Sequence, residues 1–310
     1  DIVAVNDLSN AEELAYLLKY DTNHRSFHED EISFDNDNIV IAGKKRVKVL
    51  SEADPSKLPW GDLNIDVVLE CSGRFTKYED AYKHITAGAR HVVISAPGKG
   101  DMKTIVYGVN DSILDGSEEV ISAASCTTNC LAPVLNVIEK NIGIRKGYMS
   151  TVHAYTNDQA TLDIHHSKGI MARRGRACAQ NIVPASTGAA SAIGKVIPSL
   201  LGKMDGMAFR VPVSCGSVVD LTLELDKNVS KEELNNLLRN NQSEALRVCE
   251  DPIVSSDVLG KKCGALVDLL STNVLETEAG NLVKVVAWYD NEMGYTAQML
   301  RTAKALIKEK

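Results

Sequence analysis

The sequence Ser122-Ala123-Ala124-Ser125-Cys126-Thr127-Thr128-Asn129-Cys130 (residues 122–130) joins two patterns that together decide the fold. An apolar run at residues 120–123 predicts a strand, and apolar residues at helical spacing from Leu131 to Ile138 predict a helix. Cys126 is therefore expected in the first turn of a helix, where free backbone N–H groups and the helix dipole stabilise a thiolate. The same N–H groups and nearby hydroxyls suit an oxyanion or a phosphate.

The position of Cys126 leaves two interpretations open, because a free cysteine is more often a small buried residue than a nucleophile. His153 lies in a strand-like run at residues 150–156. A cysteine nucleophile needs a neighbouring base or imidazolium partner, so His153 favours catalysis. We therefore predict that Cys126 and His153 lie side by side.

Composition sets the broad class of the protein. With 310 residues and 44% hydrophobic content, the chain is long enough for two domains with apolar cores. The formal net charge of -7 argues against nucleic acid or a membrane surface as the main partner. No apolar run approaches the roughly 18 residues of a membrane-spanning helix, and no signal-peptide pattern opens the sequence.

The seven cysteines show no CxxC spacing and favour a reducing compartment, so we expect a cytoplasmic protein. His165 and His166 are adjacent, but no second ligand pair accompanies them. A solvated loop is therefore expected there, and no metal site.

The first part of the chain alternates short apolar strands with helices, which is typical of a parallel sheet covered on both faces. Strands are predicted at residues 2–5, 39–41, 46–50, 65–69, 92–95, 105–109 and 120–122. Helices are predicted at residues 11–20, behind a capping box of Ser9 and Glu12, and at 79–87, with Gly88 as C-cap.

The pattern changes after Cys130, where longer and partly alternating strands predict a mostly antiparallel sheet with helices on one face. Strands are expected at residues 148–153, 207–213, 218–225, 265–269 and 282–289. Helices are expected at residues 187–199, at 231–240 behind a capping box of Ser230 and Glu233, and at 295–308.

The fold class is therefore α/β, with a doubly wound, Rossmann-type parallel-sheet domain and an α+β catalytic domain whose sheet is mostly antiparallel. We assign residues 1–125 with 291–310 to a dinucleotide-binding domain and residues 126–290 to the catalytic domain. The polar segment at residues 156–181 is too long for an ordinary connection and is expected to be functional. Its basic residues Arg173, Arg174 and Arg176 suit an anion, although a solvated loop explains at least two of them equally well.

Asp7 follows the first apolar strand, where doubly wound dinucleotide folds place an acid on the adenosine ribose. An acid there is also typical of a turn or a helix cap. The glycine fingerprint precedes that acid by about 20 residues, so we expect it upstream of residue 1. Turns with small residues at 72–74 and 95–97 also follow predicted strands, at the sheet edge where nucleotides bind in open α/β folds. The negative charge of Asp7 would repel a ribose phosphate, so NAD is expected rather than NADP.

Five blocks of sequence resemble phosphorylating glyceraldehyde-3-phosphate dehydrogenase, in the order and with spacings similar to those of that family. They are Ser125-Cys126-Thr127-Thr128-Asn129-Cys130, Thr151-Val152-His153-Ala154-Tyr155-Thr156, Ser186-Thr187-Gly188-Ala189-Ala190, Phe209-Arg210-Val211-Pro212 and Trp288-Tyr289-Asp290-Asn291-Glu292-Met293-Gly294-Tyr295. The resemblance covers essentially the whole chain. The family's N-terminal strand and Gly-Phe-Gly-Arg-Ile-Gly-type loop are absent from these residues.

The resemblance implies a role for each matching residue. Cys126 would be the nucleophile and His153 the base. Thr156 and Arg210 would bind the substrate phosphate. Contacts with inorganic phosphate would come from Ser125, Thr127, Arg174, Thr187 and Gly188. The cofactor site would contain Asp7, Arg74, Ser95, Asn291 and Tyr295, with Asn291 on the nicotinamide carboxamide.

The implied reaction converts glyceraldehyde 3-phosphate, NAD and inorganic phosphate to 1,3-bisphosphoglycerate and NADH, through a thiohemiacetal and a thioester on Cys126. The resemblance also implies a homotetramer. One alternative is erythrose-4-phosphate dehydrogenase, which uses the same cysteine and histidine chemistry but releases its acid by hydrolysis. Another is a non-catalytic surface or RNA-binding role on the same scaffold, against which the intact Cys126, His153 and Arg210 set argues.

Overall fold

The computed structural model describes residues 1–278 and 280–307, and its contacts divide the chain into two compact units. The first unit comprises Asp1–Ile94, Gly98–Met102 and Ser117–Ile121. The second comprises Ser95–Pro97, Lys103–Gly116 and Ser122–Lys310. None of the helices in the described ranges has the length and apolar character needed to cross a membrane.

The first unit holds short strands and three helices. In chain order they are β1 (Ala4–Asn6), α1 (Ala11–Lys19), β2 (Tyr20–Asp21), β3 (Arg25–Ser26), β4 (Ile32–Asp35), β5 (Asn38–Ile41), β6 (Lys45–Leu50), β7 (Val67–Glu70), α2 (Tyr78–Ala81), α3 (Lys83–Thr86) and β8 (His91–Ile94). The strand β9 (Val120–Ser122) begins in this unit.

Both larger sheets of this unit contain a parallel pair of strands. β1 lies parallel to β6, and β7 lies parallel to β8, with β9 next in the sheet order β7-β8-β9. The predicted Rossmann-type class is confirmed. The hairpin strands β4 and β5 extend the first sheet in antiparallel fashion. β5 contains the predicted strand at residues 39–41, whereas β4 was not predicted.

Several local predictions in or beside this unit were wrong. Helix α1 is capped by Asn10, whose side chain accepts from the Glu13 N–H, because the Ser9 N–H donates to Asp7 instead. The helix predicted at residues 79–87 is interrupted at Tyr82, where the Ile85 N–H bonds three residues back rather than four.

The third error is the strand predicted at residues 105–109. The side chain of Asn110 accepts from the Val106 N–H and donates to the Thr104 carbonyl, so these backbone groups serve a turn. The C-cap is Ala87 rather than the predicted Gly88, which follows it with a φ of +102° and where a Cβ would lie 2.5 Å from the backbone of Gly61.

The second unit is built on a seven-stranded sheet of order β11-β12-β10-β13-β16-β15-β14. Its elements are α4 (Cys126–Asn141), β10 (Ile144–Ala154), β11 (Val183–Ser186), α5 (Ala189–Val196), β12 (Met204–Val211), β13 (Ser217–Leu225), α6 (Lys231–Asn240), β14 (Leu246–Cys249), β15 (Ala265–Leu275), β16 (Leu282–Tyr289) and α7 (Met293–Leu306). Four of the six neighbouring strand pairs are antiparallel, which confirms the mostly antiparallel sheet.

Helix α4 supplies much of the core of this unit. Leu131, Leu135 and Ile138 are fully buried and pack with β13, β15 and β16 side chains in one apolar cluster. The helix following Cys126 and the Ser230–Glu233 capping box of α6 are both confirmed. By its contacts α7 groups with this unit, whereas the sequence assignment placed residues 291–310 with the dinucleotide-binding domain. The predicted end of that helix, Lys308, lies outside the described residues.

Candidate active site

Cys126 is the first residue of α4, as the sequence predicts. Ser125 caps the helix, because its hydroxyl oxygen accepts from the Thr128 N–H at 3.1 Å. Ala124 precedes the cap with a φ of +59°, a left-handed conformation that is uncommon outside glycine. The chain therefore turns sharply between β9 and α4, and the half-buried thiol is left beside the end of β10.

The sulfur of Cys126 lies 3.4 Å from Nε2 of His153, which confirms the predicted juxtaposition of the two side chains. The other ring nitrogen, Nδ1, lies 2.7 Å from the carbonyl oxygen of Ala154. A carbonyl only accepts, so Nδ1 carries the proton and Nε2 presents a lone pair to the thiol. The geometry is that of a base facing its proton donor.

Electrostatics favour the neutral form of both groups. Burial raises the pKa of the Cys126 thiol, and the Arg210 charge and hydrogen bonds to Thr127 oppose this rise without cancelling it. Burial and the Arg210 charge lower the pKa of His153 to about 4. Burial therefore acts against the thiolate that the helix start favours.

A row of polar side chains continues from the cysteine and histidine pair. Arg210 on β12 donates from Nη1 to the Ala154 carbonyl at 3.0 Å and to the Thr156 hydroxyl at 2.9 Å. Thr156 donates to Asp158 at 2.6 Å, and Asp158 forms an ion pair with Arg174. The structure therefore brings together the predicted residues Thr156, Arg174 and Arg210.

Asp158 is a member of this row that the sequence analysis missed. Burial raises the pKa of its carboxyl, but the Thr156 hydrogen bond and the Arg174 charge outweigh burial and lower the pKa overall. The Nε atom of Arg210 is buried and has no hydrogen-bond partner within the described part of the chain. Two guanidinium groups held in this way suit an anion such as phosphate.

Tyr289 was also missed. Its buried hydroxyl lies 3.0 Å from the Thr127 hydroxyl and 2.8 Å from the Thr151 hydroxyl. Its ring meets His153 edge to face, with the ring centroids 5.8 Å apart. Tyr289 ends the apolar strand β16 and lies within the fifth family-like block, but the sequence analysis gave it no role in the site.

Comparison with known proteins supplies the family. Residues 125–291 match the family described as glyceraldehyde 3-phosphate dehydrogenase, C-terminal domain, and residues 1–78 match its NAD binding domain. The chain belongs to the glyceraldehyde-3-phosphate dehydrogenase family. Curated glyceraldehyde-3-phosphate dehydrogenases from Clostridium pasteurianum and Clostridium acetobutylicum are each 54% identical over 308 residues. The one from Streptococcus pyogenes is 49% identical over 309 residues, and all three alignments cover 99% of this chain and 91% of the relative.

The nicotinamide-side residues predicted from the glyceraldehyde-3-phosphate dehydrogenase resemblance lie near the junction of β16 and α7. Asn291 is buried, and its Oδ1 accepts from the Ser217 hydroxyl at 2.9 Å and from the Gly216 N–H at 3.2 Å. Tyr295 donates from its hydroxyl to the Ala124 carbonyl at 3.2 Å, which ties α7 to the turn before Cys126.

The remaining predicted phosphate residues occupy two helix starts. Ser125 and Thr127 flank Cys126, whereas Thr187 and Gly188 precede α5. The Thr187 hydroxyl accepts from the Ala189 N–H at 3.2 Å. Helix α5 packs against α4, so the two starts belong to neighbouring helices.

The predicted adenosine-side residues Asp7 and Arg74 lie at strand ends of the first unit. Asp7 is exposed after β1 and accepts from the Ser9 N–H at 2.9 Å. Arg74 is exposed after β7, beyond Gly73, whose φ of +71° favours glycine. Ser95 is half-buried and directly follows β8.

Proposed function

We propose that this chain oxidises glyceraldehyde 3-phosphate with NAD and inorganic phosphate to 1,3-bisphosphoglycerate. The observation that carries the proposal is the 3.4 Å approach of Cys126 and His153 in a member of the glyceraldehyde-3-phosphate dehydrogenase family. Curated relatives at 54% identity bear that enzyme's name.

The neutral pair suits the first step. As the sulfur attacks the aldehyde carbon, its proton passes to Nε2 of His153 and from there to the new alkoxide, giving a thiohemiacetal. Nε2 then removes the hydroxyl proton while the hydride leaves, and a thioester remains on Cys126. When bound, NAD supplies the hydride acceptor. Because the pKa of His153 is about 4, the imidazole is available as a base throughout the neutral range.

Phosphate then attacks the thioester carbon and releases the acyl phosphate and the sulfur of Cys126. Arg210 and Thr156 are proposed to hold the phosphate of the substrate. Ser125, Thr127, Arg174, Thr187 and Gly188 are proposed to hold the attacking phosphate. The Thr156–Asp158 link between the two arginines supports this assignment, because it holds two cations in one place.

The residues present suit NAD. The hydrogen bonds from Ser217 and Gly216 both reach Oδ1 of Asn291, so we assign Nδ2 as the donor to the carboxamide, with Tyr295 packing near the ring. Asp7 offers a carboxylate to the ribose hydroxyls, and its charge would repel a ribose phosphate. Arg74 and Ser95 complete the proposed cofactor site.

The test is NADH formation from glyceraldehyde 3-phosphate, followed by absorbance with and without inorganic phosphate. We expect phosphate or arsenate to be required for steady turnover. Turnover of erythrose 4-phosphate without phosphate would instead identify the hydrolytic alternative. No NADH from either aldehyde, together with unselective alkylation of Cys126 by iodoacetamide, would indicate a non-catalytic role.

A cytoplasmic homotetramer is also proposed. All seven cysteines are free, which suits a reducing compartment. The segment at residues 156–181 exposes large apolar side chains, among them Leu162, Ile164, Ile170 and Met171. Exposed apolar side chains of this size suit contact with further copies of the chain. Sedimentation equilibrium tests this, and a monomeric mass would refute it.

A further inference from the structure

Ser217, the first residue of β13, joins parts of the second unit that the proposed reaction uses. Its side chain is fully buried. The hydroxyl oxygen accepts from the N–H of Ala154 at 3.0 Å, and the hydroxyl donates to Oδ1 of Asn291 at 2.9 Å. Ala154 directly follows His153, and Asn291 lies between β16 and α7. One hydroxyl therefore connects the end of β10 to the segment between β16 and α7.

These contacts fix which way the Asn291 amide faces. Ser217 and the Gly216 N–H both donate, and of the two amide atoms only the oxygen accepts. Oδ1 is therefore held against the start of β13. The Nδ2 group is left as the donor for another molecule.

We propose that Ser217 is a positioning residue for the nicotinamide end of the cofactor. It orients Asn291 so that Nδ2 donates to the carbonyl oxygen of the carboxamide. Through its bond to Ala154 it also fixes the position of the Asn291 side chain relative to His153. This inference rests on the proposed use of NAD. Without the hydroxyl, Asn291 keeps only the 3.2 Å contact with Gly216, and the Ala154 N–H loses its acceptor.

The test compares the dissociation constants of NAD and thionicotinamide adenine dinucleotide by calorimetry. The thioamide sulfur is a weak acceptor, so a donor at Nδ2 makes the wild-type chain prefer NAD. Ser217→Ala is expected to reduce this preference by about three- to tenfold, the value of one hydrogen bond. Asn291→Ala should reduce it similarly, and the double variant should show no further loss, because Ser217 acts through Asn291.

Two variants serve as controls. Ser217→Thr keeps the hydroxyl and should show the wild-type preference for NAD over the thionicotinamide analogue. Ser150→Ala changes a half-buried serine on β10, on the strand that carries His153, and should leave the preference unchanged. If Ser217→Ala does not fold, Ser217→Cys replaces it, since a thiol is a weak donor and predicts the same loss.

Equal weakening of both cofactors by Ser217→Ala would show a purely structural role and overturn the inference. A double variant that loses more preference than Asn291→Ala would also overturn it. A wild-type chain that binds neither cofactor would refute the proposed function as well, whereas normal binding with an unaffected Ser217→Ala would refute this inference alone.

Discussion

His153 bonds the Ala154 carbonyl through one ring nitrogen and faces the Cys126 sulfur with the other. Asparagine at position 153 would keep an amide donor but remove the base. We predict that His153→Asn lowers kcat by ~10²–10⁴-fold, the usual contribution of a general base. Steady-state NADH formation measures this, with the circular dichroism spectrum as the folding control. A loss smaller than about tenfold would remove His153 from the mechanism.

The guanidinium of Arg210 is held by the Ala154 carbonyl and the Thr156 hydroxyl, and its proposed role is to bind the phosphate of the substrate. Its loss should therefore affect a phosphorylated substrate most. Arg210→Leu should raise KM for glyceraldehyde 3-phosphate much more than KM for unphosphorylated glyceraldehyde. The unphosphorylated aldehyde is the matched control within one variant. Equal losses on both substrates would contradict the assigned phosphate contact.

The Tyr289 hydroxyl is the shared partner of Thr127 and Thr151, which lie next to Cys126 and two residues before His153. Tyr289→Phe keeps the ring against His153 but leaves two threonine hydroxyls without this partner. We expect a loss of about 1–3 kcal/mol in the free energy of unfolding, together with a lower kcat. Denaturant titration measures the first quantity. Tyr148→Phe, at an exposed site on β10, is the control and should change neither.

At the scale of elements, local signals gave mixed results: the Ser230 capping box of α6 is confirmed, whereas Asn10 and not Ser9 caps α1. The start of α4 was predicted correctly because an apolar strand pattern changes there to apolar residues at helical spacing. The strand expected at residues 105–109 was wrong, since the Asn110 side chain takes the backbone groups that a strand would use.

Long-range contacts within the site were beyond local sequence signals. Arg210 reaches Thr156 across 54 residues, and Tyr289 reaches Thr127 across 162. Family resemblance placed Arg210 and Thr156 in one site, but it assigned no role to Asp158, Tyr289 or Ser217. Tyr289 and Ser217 make their contacts between strands of the assembled sheet. Asp158 meets Arg174 only once the loop has folded.

Helices α4 and α6 are both capped by a serine, Ser125 and Ser230, but only α4 carries the proposed nucleophile. Ser125 and Ser230 each accept from the N–H three residues on. Either serine replaced by alanine should cost about 1 kcal/mol of stability, measured by denaturant unfolding. Only Ser125→Ala should also lower the phosphate-dependent rate, because Ser125 precedes the nucleophile. An equal loss of rate in Ser230→Ala would mean that helix stability alone controls activity.

At the scale of the whole molecule, the burial of His153 makes stability depend on pH. Its pKa is 6.5 ordinarily and about 4 in the folded chain, so between these values the unfolded chain binds a proton that the folded chain does not. The free energy of unfolding must therefore fall as pH falls through this window, by about 3 kcal/mol in total.

Carboxyl groups contribute at lower pH, which separates their effect from that of His153. The pKa values of Glu70 and Asp158 lie below their ordinary values of 4.5 and 3.8, so their stabilisation is lost only at more acidic pH. Denaturant titrations between about pH 7 and 5 should thus show a slope that His153→Asn reduces. The other six histidines are unchanged in that variant and cancel in the comparison. Identical slopes for the two chains would mean that burial does not lower the pKa of His153 in the folded chain.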